Sequence, residues 1–362
     1  MPFLKECDEM TKYDIASASY DELVQFVREI GEKPFRSRQI FGWIHRNHAT
    51  EFSEMTNLSA DSRIKLMQHA ELNKITMITS EISADLTTKK YLFKLQENGM
   101  IDSEGSFVEA VLMTHRHGLS LCVSSQAGCK MGCDFCASGI GGFHRNLTAG
   151  EIAAQYYAAC RDADKRIGNI VIMGCGEPLD NYDNVLKFIN IVCDDRGVGF
   201  GQRNIALSTC GIVPRVYDLM KENLQITLAI SLHAPNDQIR RKLMPIARKY
   251  SIDELLTAGK AYSTIRRVSF EYALFSGVND SVANARELTK RLAGINCHVN
   301  LIPGNRIPEK GYTKSGRKAI ADFAEVLTAS GFQVTIRREF GSDISAACGQ
   351  LRNKYKCTHT VK

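Results

Sequence analysis

Gly128-Cys129-Lys130-Met131-Gly132-Cys133-Asp134-Phe135-Cys136 sets three cysteines at CxxxCxxC spacing. Thiolates three or four residues apart on one tight loop can converge on a single iron–sulfur cube while leaving its fourth iron without a protein ligand, open to chemistry. Two other readings compete: a structural zinc site of Cys3His type with His144 as the fourth ligand, or plain buried thiols. Closed zinc sites usually show paired short-spaced ligands, whereas His144 stands alone, so the cube is carried forward.

The run is bracketed by an apolar stretch before it and a helix signal after it. From about residue 105 the chain alternates strand-like and amphipathic helical runs, the pattern of repeated βα units around a parallel sheet. Strands are predicted at 119–124, 169–173, 204–208, 226–231, 268–275 and 298–302, with a further one at 334–337. Six such units fit an α/β fold of partial (βα)6, TIM-like barrel type. Thr148 with Glu151 and Ser251 with Glu254 form capping boxes that open helices, and Gly331 closes the helix that starts at Arg317.

Upstream the pattern changes. Residues 19 to about 75 read as helices, opened by Ser19 with Glu22 as a capping box; Leu23, Phe26, Val27 and Ile30 fall at helical spacing and Gly31 closes the first helix. Lys33, Arg36, Arg38, His45, Arg46 and His48 cluster around Phe35, Phe41 and Trp43. Such a cluster either holds RNA by phosphate contact and stacking or is a solvated basic rim over an aromatic core. The reading is a helical accessory domain at 1–90 and a barrel domain at 91–362.

The 362 residues are 44% hydrophobic and 24% charged, ordinary for a globular enzyme. The start is charged and lacks an apolar core of signal-peptide type, and no later stretch is long enough to span a bilayer, so a cytoplasmic protein without membrane attachment is expected. Twelve cysteines then argue for reduced thiols rather than a disulfide framework. A net charge of +6 leans toward a polyanionic partner.

In parallel barrels, ligand-binding groups gather at the C-terminal ends of strands. There stand Gly176 and Glu177, where glycine lets backbone approach a ligand and the carboxylate could accept the amino group of a bound amino acid. Ser208, Ser231 and His233 offer hydroxyl and imidazole groups for ribose or carboxylate, and Asn305 can read an adenine because an amide both donates and accepts. Each residue type also satisfies backbone at ordinary strand ends, so only the shared position singles them out. Glu109 shares a strand face with Phe107, Val111 and Met113, so it is either paired or placed to take a proton. Cys348 sits among small residues and glycine, in a segment that permits movement.

With these motifs on view, the chain resembles the RlmN family of adenine carbon-2 methyltransferases, part of the radical S-adenosylmethionine (SAM) superfamily. The matching stretches are Gly31-Glu32-Lys33-Pro34-Phe35-Arg36, Cys122-Val123-Ser124-Ser125-Gln126, Gly176-Glu177-Pro178, Ile230-Ser231-Leu232-His233-Ala234-Pro235-Asn236, Asn300-Leu301-Ile302-Pro303 and Ala346-Ala347-Cys348-Gly349-Gln350-Leu351. They cover almost the whole chain. The N-terminal module and Pro178 set it apart from the sister Cfr group of carbon-8 methyltransferases, and Cys175 departs from the family, which commonly has another apolar residue beside the cofactor loop.

The resemblance implies methylation of large-subunit ribosomal RNA and transfer RNA, with one 4Fe-4S cluster and two SAM molecules per turnover. It implies cluster ligation by Cys129, Cys133 and Cys136, and cofactor contacts from Gly176, Glu177, Ser208, Ser231, Leu232, His233 and Asn305. It makes Cys348 the residue that is methylated and then joins its carbon to adenine, Cys122 the thiol that resolves this covalent protein–RNA adduct, and Glu109 the acceptor of the ring proton. A flavodoxin-like or ferredoxin-like electron donor and a monomeric protein are the further expectations.

Overall fold

The strand signals before and after the cysteine loop become neighbours in one sheet. The computed structural model describes residues 12–72, 75–96, 107–305, 307–346 and 349–351. It begins with a helical module of α1 (Tyr20–Glu29), α2 (Arg36–His45) and α3 (Ala60–His69), with β1 (Tyr13–Asp14) and β2 (Ala70–Glu71) paired in parallel. The Ser19–Glu22 capping box forms, and Gly31 ends α1 with a φ of 74° that glycine adopts without strain. Leu23, Phe26 and Val27 of α1 and Ile40, Phe41 and Ile44 of α2 are buried in the core.

The next four strands, β3 (Thr76–Ile82), β4 (Thr88–Lys94), β5 (Phe107–His115) and β6 (Gly118–Val123), pair antiparallel in sequence. The division expected near residue 90 falls inside β4, which is hydrogen-bonded to both β3 and β5; the sheet takes in the chain from Thr76 onward. After β6 a short ribbon, β7 (Gln126–Gly128) with β8 (Phe143–Asn146), encloses the cysteine loop.

Helices and strands then alternate: α4 (Ala149–Ala163), β9 (Ile167–Ile172), α5 (Tyr182–Cys193), β10 (Ile205–Thr209), α6 (Val213–Lys221), β11 (Thr227–Ser231), α7 (Asp237–Leu243), α8 (Ile252–Ser263), β12 (Val268–Leu274), α9 (Val282–Leu292), β13 (Cys297–Pro303), α10 (Arg317–Ala329) and β14 (Gln333–Ile336). Strands β6, β9, β10, β11, β12, β13 and β14 are neighbours in that order, every pair parallel. These are the six predicted strands and the further one, each within two residues of its expected ends. Among the described residues the sheet has ten strands, with β3 and β14 at its edges, so the barrel is open.

Period-two alternation divides the strands between two environments. Ile170, Leu207, Leu228, Ile230, Phe270, Val299 and Leu301 are buried in one core with Phe188, Leu255, Leu288 and Phe323 of the helices. On the opposite face Ser231, Glu271 and Asn300 are direct register partners across β11, β12 and β13. A polar row inside an apolar shell is the frame of the site.

The helical module is tied to the barrel by groups that the sequence suggested for RNA. His45 Nδ1 lies 2.8 Å from the Tyr157 hydroxyl of α4, and His48 stacks on the Tyr157 ring with centroids 4.6 Å apart. Arg46 donates to the carbonyls of Gly197 and Asp195 at 3.1 and 2.6 Å. Phe41 and His45 are buried and face inward. The reason is helical periodicity: both belong to the apolar stripe of α2, so the basic cluster divides, leaving Lys33 and Arg38 exposed and Arg36 beside the exposed Phe35 ring.

Candidate active site

The cysteine loop is held shut at its base by backbone. Cys129 N–H donates to Gly142 O at 3.0 Å, and Gly128 has a φ of 74°. A Cβ at Gly128 would stand 2.0 Å from Gly142 O, so only glycine fits. Cys129, Cys133 and Cys136 line one wall of a cavity of about 140 Å³. The opposing wall comes from strand ends: Gly176 and Glu177 after β9, Ser208 on β10, Ser231 and His233 at the end of β11, and Asn305 after β13. The structure thus brings together every cofactor-contact residue named from the sequence except Leu232. That side chain is fully buried in the core, its N–H donates to Glu271 O at 3.0 Å, and its carbonyl accepts from Arg240 Nε at 3.2 Å. Strand alternation turns it away from its two neighbours.

Burial pushes the Cys129 thiol up to about 12, with the nearby Cys136 adding to the rise, and drives Cys133 up as well for the same two reasons. Thiols so placed stay protonated until a metal displaces the proton. Among the described residues no group of three or more Cys, His, Asp or Glu side chains closes around a single ion. His144, the fourth ligand of the zinc reading, is exposed on β8. A cube differs from an ion in giving each thiolate its own iron, so a shared cavity wall rather than a common ligation point is what it requires. Buried Arg240 supports the fit. Its guanidinium donates to Cys210 O at 2.7 Å and Leu232 O at 3.2 Å, is electrostatically coupled to Cys133, and leaves Nη1 without a partner among the described residues. A buried cation behind protonated thiols is poorly compensated, whereas behind a thiolate-bound cluster it faces negative charge.

Glu177 is fixed by its surroundings. Its N–H donates to Gln126 Oε1 at 2.8 Å, while Oε1 accepts from Leu179 N–H at 3.0 Å and Oε2 from Cys210 N–H at 2.7 Å. Burial pushes the carboxyl above its ordinary value against those hydrogen bonds. His233 takes a positive φ of 54°, held because Asn279 donates to its carbonyl at 2.8 Å. Its Nδ1 accepts from Ala273 N–H at 2.9 Å, so the proton belongs on Nε2; burial lowers its basicity to about 3 and keeps the ring neutral. A neutral ring presenting a single N–H is a directional donor.

A second chamber shares Met173, Gly174, Ile302, Asn305, Arg337 and Gly349 with the first. Its own wall holds Cys122 and, directly opposite in register, Val111. Cys348 lies outside the described residues; Ala346 before it and Gly349 after it line this chamber. Gly349 O accepts from Ala137 N–H at 2.7 Å and Leu351 O from Ser138 Oγ at 3.0 Å, which ties that segment to the residues just after Cys136.

Glu109 is buried on the face that Val111 extends, but its neighbours are not all apolar. Lys90, paired with Val111 across β4 and β5, sets its ammonium 3.7 Å from Glu109 Oε1 and donates to Ile344 O at 2.6 Å. Lys90, which also reaches Glu81 Oε2 at 3.2 Å, pairs with this carboxylate and links it to the segment leading to Cys348; the pairing leaves a role as proton acceptor open. Cys175 is buried, its N–H donating to Ser124 Oγ at 2.9 Å and its carbonyl accepting from Ser125 and Gln126 N–H at 2.9 and 3.1 Å, so it packs against the chain that leads into the loop.

Sequence reasoning passed over Lys90, Arg240, Glu271 and Arg337. Glu271 lines the cofactor cavity with its carboxylate taking Ser269 Oγ at 2.9 Å and Asn300 Nδ2 at 2.7 Å, and burial raises it against the charge of Arg337. The available signal was charge at inward-facing strand positions: Glu271 shares the alternation of Ser269 and Ala273, and Lys90 that of Leu92.

Residues 13–72 match the family model of the ribosomal RNA large subunit methyltransferase N-terminal domain, and residues 123–288 match that of the radical SAM superfamily. The chain is 48% identical to a probable dual-specificity RNA methyltransferase RlmN of Lachnospira eligens, over 94% of this chain and 96% of the relative. It is 49% identical to the protein of the same description from Lachnoclostridium phytofermentans, over 95% of each. A crystal structure of a radical SAM methyltransferase from Sphaerobacter thermophilus superimposes with a TM-score of 0.89 at 41% identity, covering 94% of this chain and 99% of that one. Likeness at this level across both the helical module and the barrel, with the thiol-lined cavity at the strand ends, shows that the chain belongs to the RlmN family of dual-specificity RNA methyltransferases, within the radical SAM superfamily.

Proposed function

We propose that this protein methylates carbon 2 of a specific adenine in large-subunit ribosomal RNA and in transfer RNA, by way of a methylated Cys348 that becomes covalently joined to the RNA. The observation that carries this reading is the pair of chambers with a common wall, one lined by three cysteines and the other by Cys122 and the residues flanking Cys348. Cys129, Cys133 and Cys136 would hold a 4Fe-4S cluster, and SAM bound in the same cavity would supply the methyl group and the radical chemistry. Carbon 2 of adenine is not nucleophilic, so direct transfer from a sulfonium fails and a protein-bound carbon must be delivered instead.

The chain's own groups have distinct duties in this scheme. Gly176 and Glu177 receive the methionyl amine, Ser208, Ser231 and His233 orient ribose and carboxylate, and Asn305 reads the cofactor's adenine. Cys348 carries the methyl carbon to the ring. Glu109, paired with Lys90 at 3.7 Å, accepts the ring proton as a carboxylate. The Cys122 thiolate attacks the Cys348 sulfur, forming a Cys122–Cys348 disulfide as the sulfur–carbon bond breaks; the carbon leaves with the electron pair and takes a proton to become the product's methyl group.

The module built from α1 to α3 holds RNA through Lys33, Arg36 and Arg38, joined by Arg352, Lys354 and Lys356, which lie outside the described residues. An expected division into accessory and barrel domains is drawn more naturally before Thr76, where the sheet begins. No helix of the described residues is long and apolar enough to cross a membrane. We place the enzyme in the cytoplasm as a monomer, served by a flavodoxin-like or ferredoxin-like donor. The test is to digest RNA modified by the anaerobically reconstituted enzyme and identify the methylated nucleoside by mass spectrometry. 2-Methyladenosine is expected; 8-methyladenosine would replace this reading with the carbon-8 reaction, and no methylated adenosine would end it.

A further inference from the structure

The cysteine loop has an outward face as well as the inward one. Gly132 is exposed, takes a φ of 64° and directly precedes Cys133, so the loop carries no side chain of its own at that point. On one flank stand Ile140 and Phe143, 41% and 39% exposed, with Lys130 Nζ 5.3 Å from the Phe143 ring centroid. On the other flank the loop leans on α7 and the turn after it: Asp134 N–H donates to Leu243 O at 2.8 Å, and a Cβ at Gly132 would lie 3.8 Å from Pro245 Cγ. That segment carries Arg241, Lys242, Arg248 and Lys249, all exposed, and among the described residues none of them is paired with a carboxylate. The loop's own acid, Asp134, is occupied by the Tyr312 hydroxyl at 2.8 Å and Lys310 at 3.6 Å. Lys130 is paired with Asp180 at 2.8 Å.

We propose that this face is the docking surface for an acidic one-electron carrier protein that reduces the cluster. The inference rests on the reading above, because only a cluster-bearing enzyme needs the electron. The inward side of the loop is given over to cofactor and, through the shared wall, to the Cys122 chamber where RNA must enter, so an electron has the outward face. In the step one electron leaves the carrier, for a flavin the anionic hydroquinone becoming the neutral semiquinone, and the cluster passes from the 2+ to the 1+ state; no bond or proton moves. Four exposed cations without carboxylate partners among the described residues, on the segment that packs against the loop, beside an exposed glycine and an apolar flank, suit an acidic protein surface, which steers by charge and seats on the apolar rim.

The experiment uses the cluster-loaded full chain with the paired changes Arg241→Glu with Lys242→Glu and Arg248→Glu with Lys249→Glu, and Lys242→Ala as a milder companion. Binding of oxidised flavodoxin is measured by interferometry across a salt series, cofactor cleavage is driven separately by reduced flavodoxin and by dithionite, and RNA affinity is measured by filter binding. Charge reversal should slow flavodoxin association and raise its KM by about tenfold, while leaving dithionite-driven cleavage and RNA affinity within twofold; Lys242→Ala should move the same way by less. Unaltered flavodoxin binding overturns the proposal, and a loss confined to RNA affinity would assign the face to RNA instead. Failure of the parent enzyme to cleave cofactor even with dithionite would overturn the function reading itself, and flavodoxin binding would still report on the surface.

Discussion

At Gly128 a single hydrogen stands where a methyl group would collide with Gly142 O at 2.0 Å, on a backbone with a φ of 74°. Gly128→Ala should therefore open the base of the cysteine loop, and anaerobic reconstitution should yield well under the roughly four irons per chain expected of one cube. Full iron content in that variant would show that the ribbon does not shape the site. The two thiols of the second chamber separate by chemistry. Cys348→Ala should form no RNA linkage, whereas Cys122→Ala should form the bond and fail to break it, so protein should accumulate on labelled RNA in denaturing gels. Glu109→Gln should also stall after addition, because an amide cannot accept the ring proton. Normal methyl transfer by Cys122→Ala, with nothing trapped, would overturn these roles. Cys129, Cys133 and Cys136 were legible from their spacing, and Glu177, Ser208, Ser231, His233 and Asn305 because each follows or ends a predicted strand. Lys90 and Arg240 were not, since their partners lie at Glu109 and Cys210 and are met only through sheet register and loop closure.

At the scale of elements, local signals fared well wherever the chain's own neighbours decide the outcome. The capping boxes at Ser19, Thr148 and Ser251 form as written, because each needs only a hydroxyl and a carboxylate three residues apart. Helix α2 is different: its basic residues read as a surface until the packing against α4 takes His45 inside. That docking has a pH signature. Burial lowers His45 from an ordinary value of 6.5 to about 3, so the unfolded chain takes a proton that the folded chain refuses. Its contribution is intact above pH 6.5 and is lost as pH falls toward 3, at about 1.4 kcal/mol per pH unit for one such group. His45→Gln retains a hydrogen-bonding group toward Tyr157 without the titration. Urea midpoints measured between pH 7 and 4.5 should fall less steeply in the variant than in the parent; equal slopes would show that α2 separates from α4 before the ring is challenged.

Across the whole molecule, a net charge of +6 is modest, and its placement matters more than its size. Removing residues 1–90 to isolate the RNA-binding part would also remove β3 and the start of β4, exposing the edge of β5, so truncation confounds binding with folding. Point changes avoid this. Lys33 and Arg38 are exposed, and Arg36 sits with its guanidinium 5.0 Å from the centroid of the exposed Phe35 ring. If the helical module grips phosphates, RNA affinity should fall steeply with salt, and Lys33→Ala with Arg38→Ala should lower the slope of log affinity against log salt by roughly one for each phosphate no longer neutralised. Cofactor cleavage should be untouched, because neither side chain lines the thiol cavity. An unchanged salt slope in the double variant would move the RNA-binding surface off the module and onto the barrel.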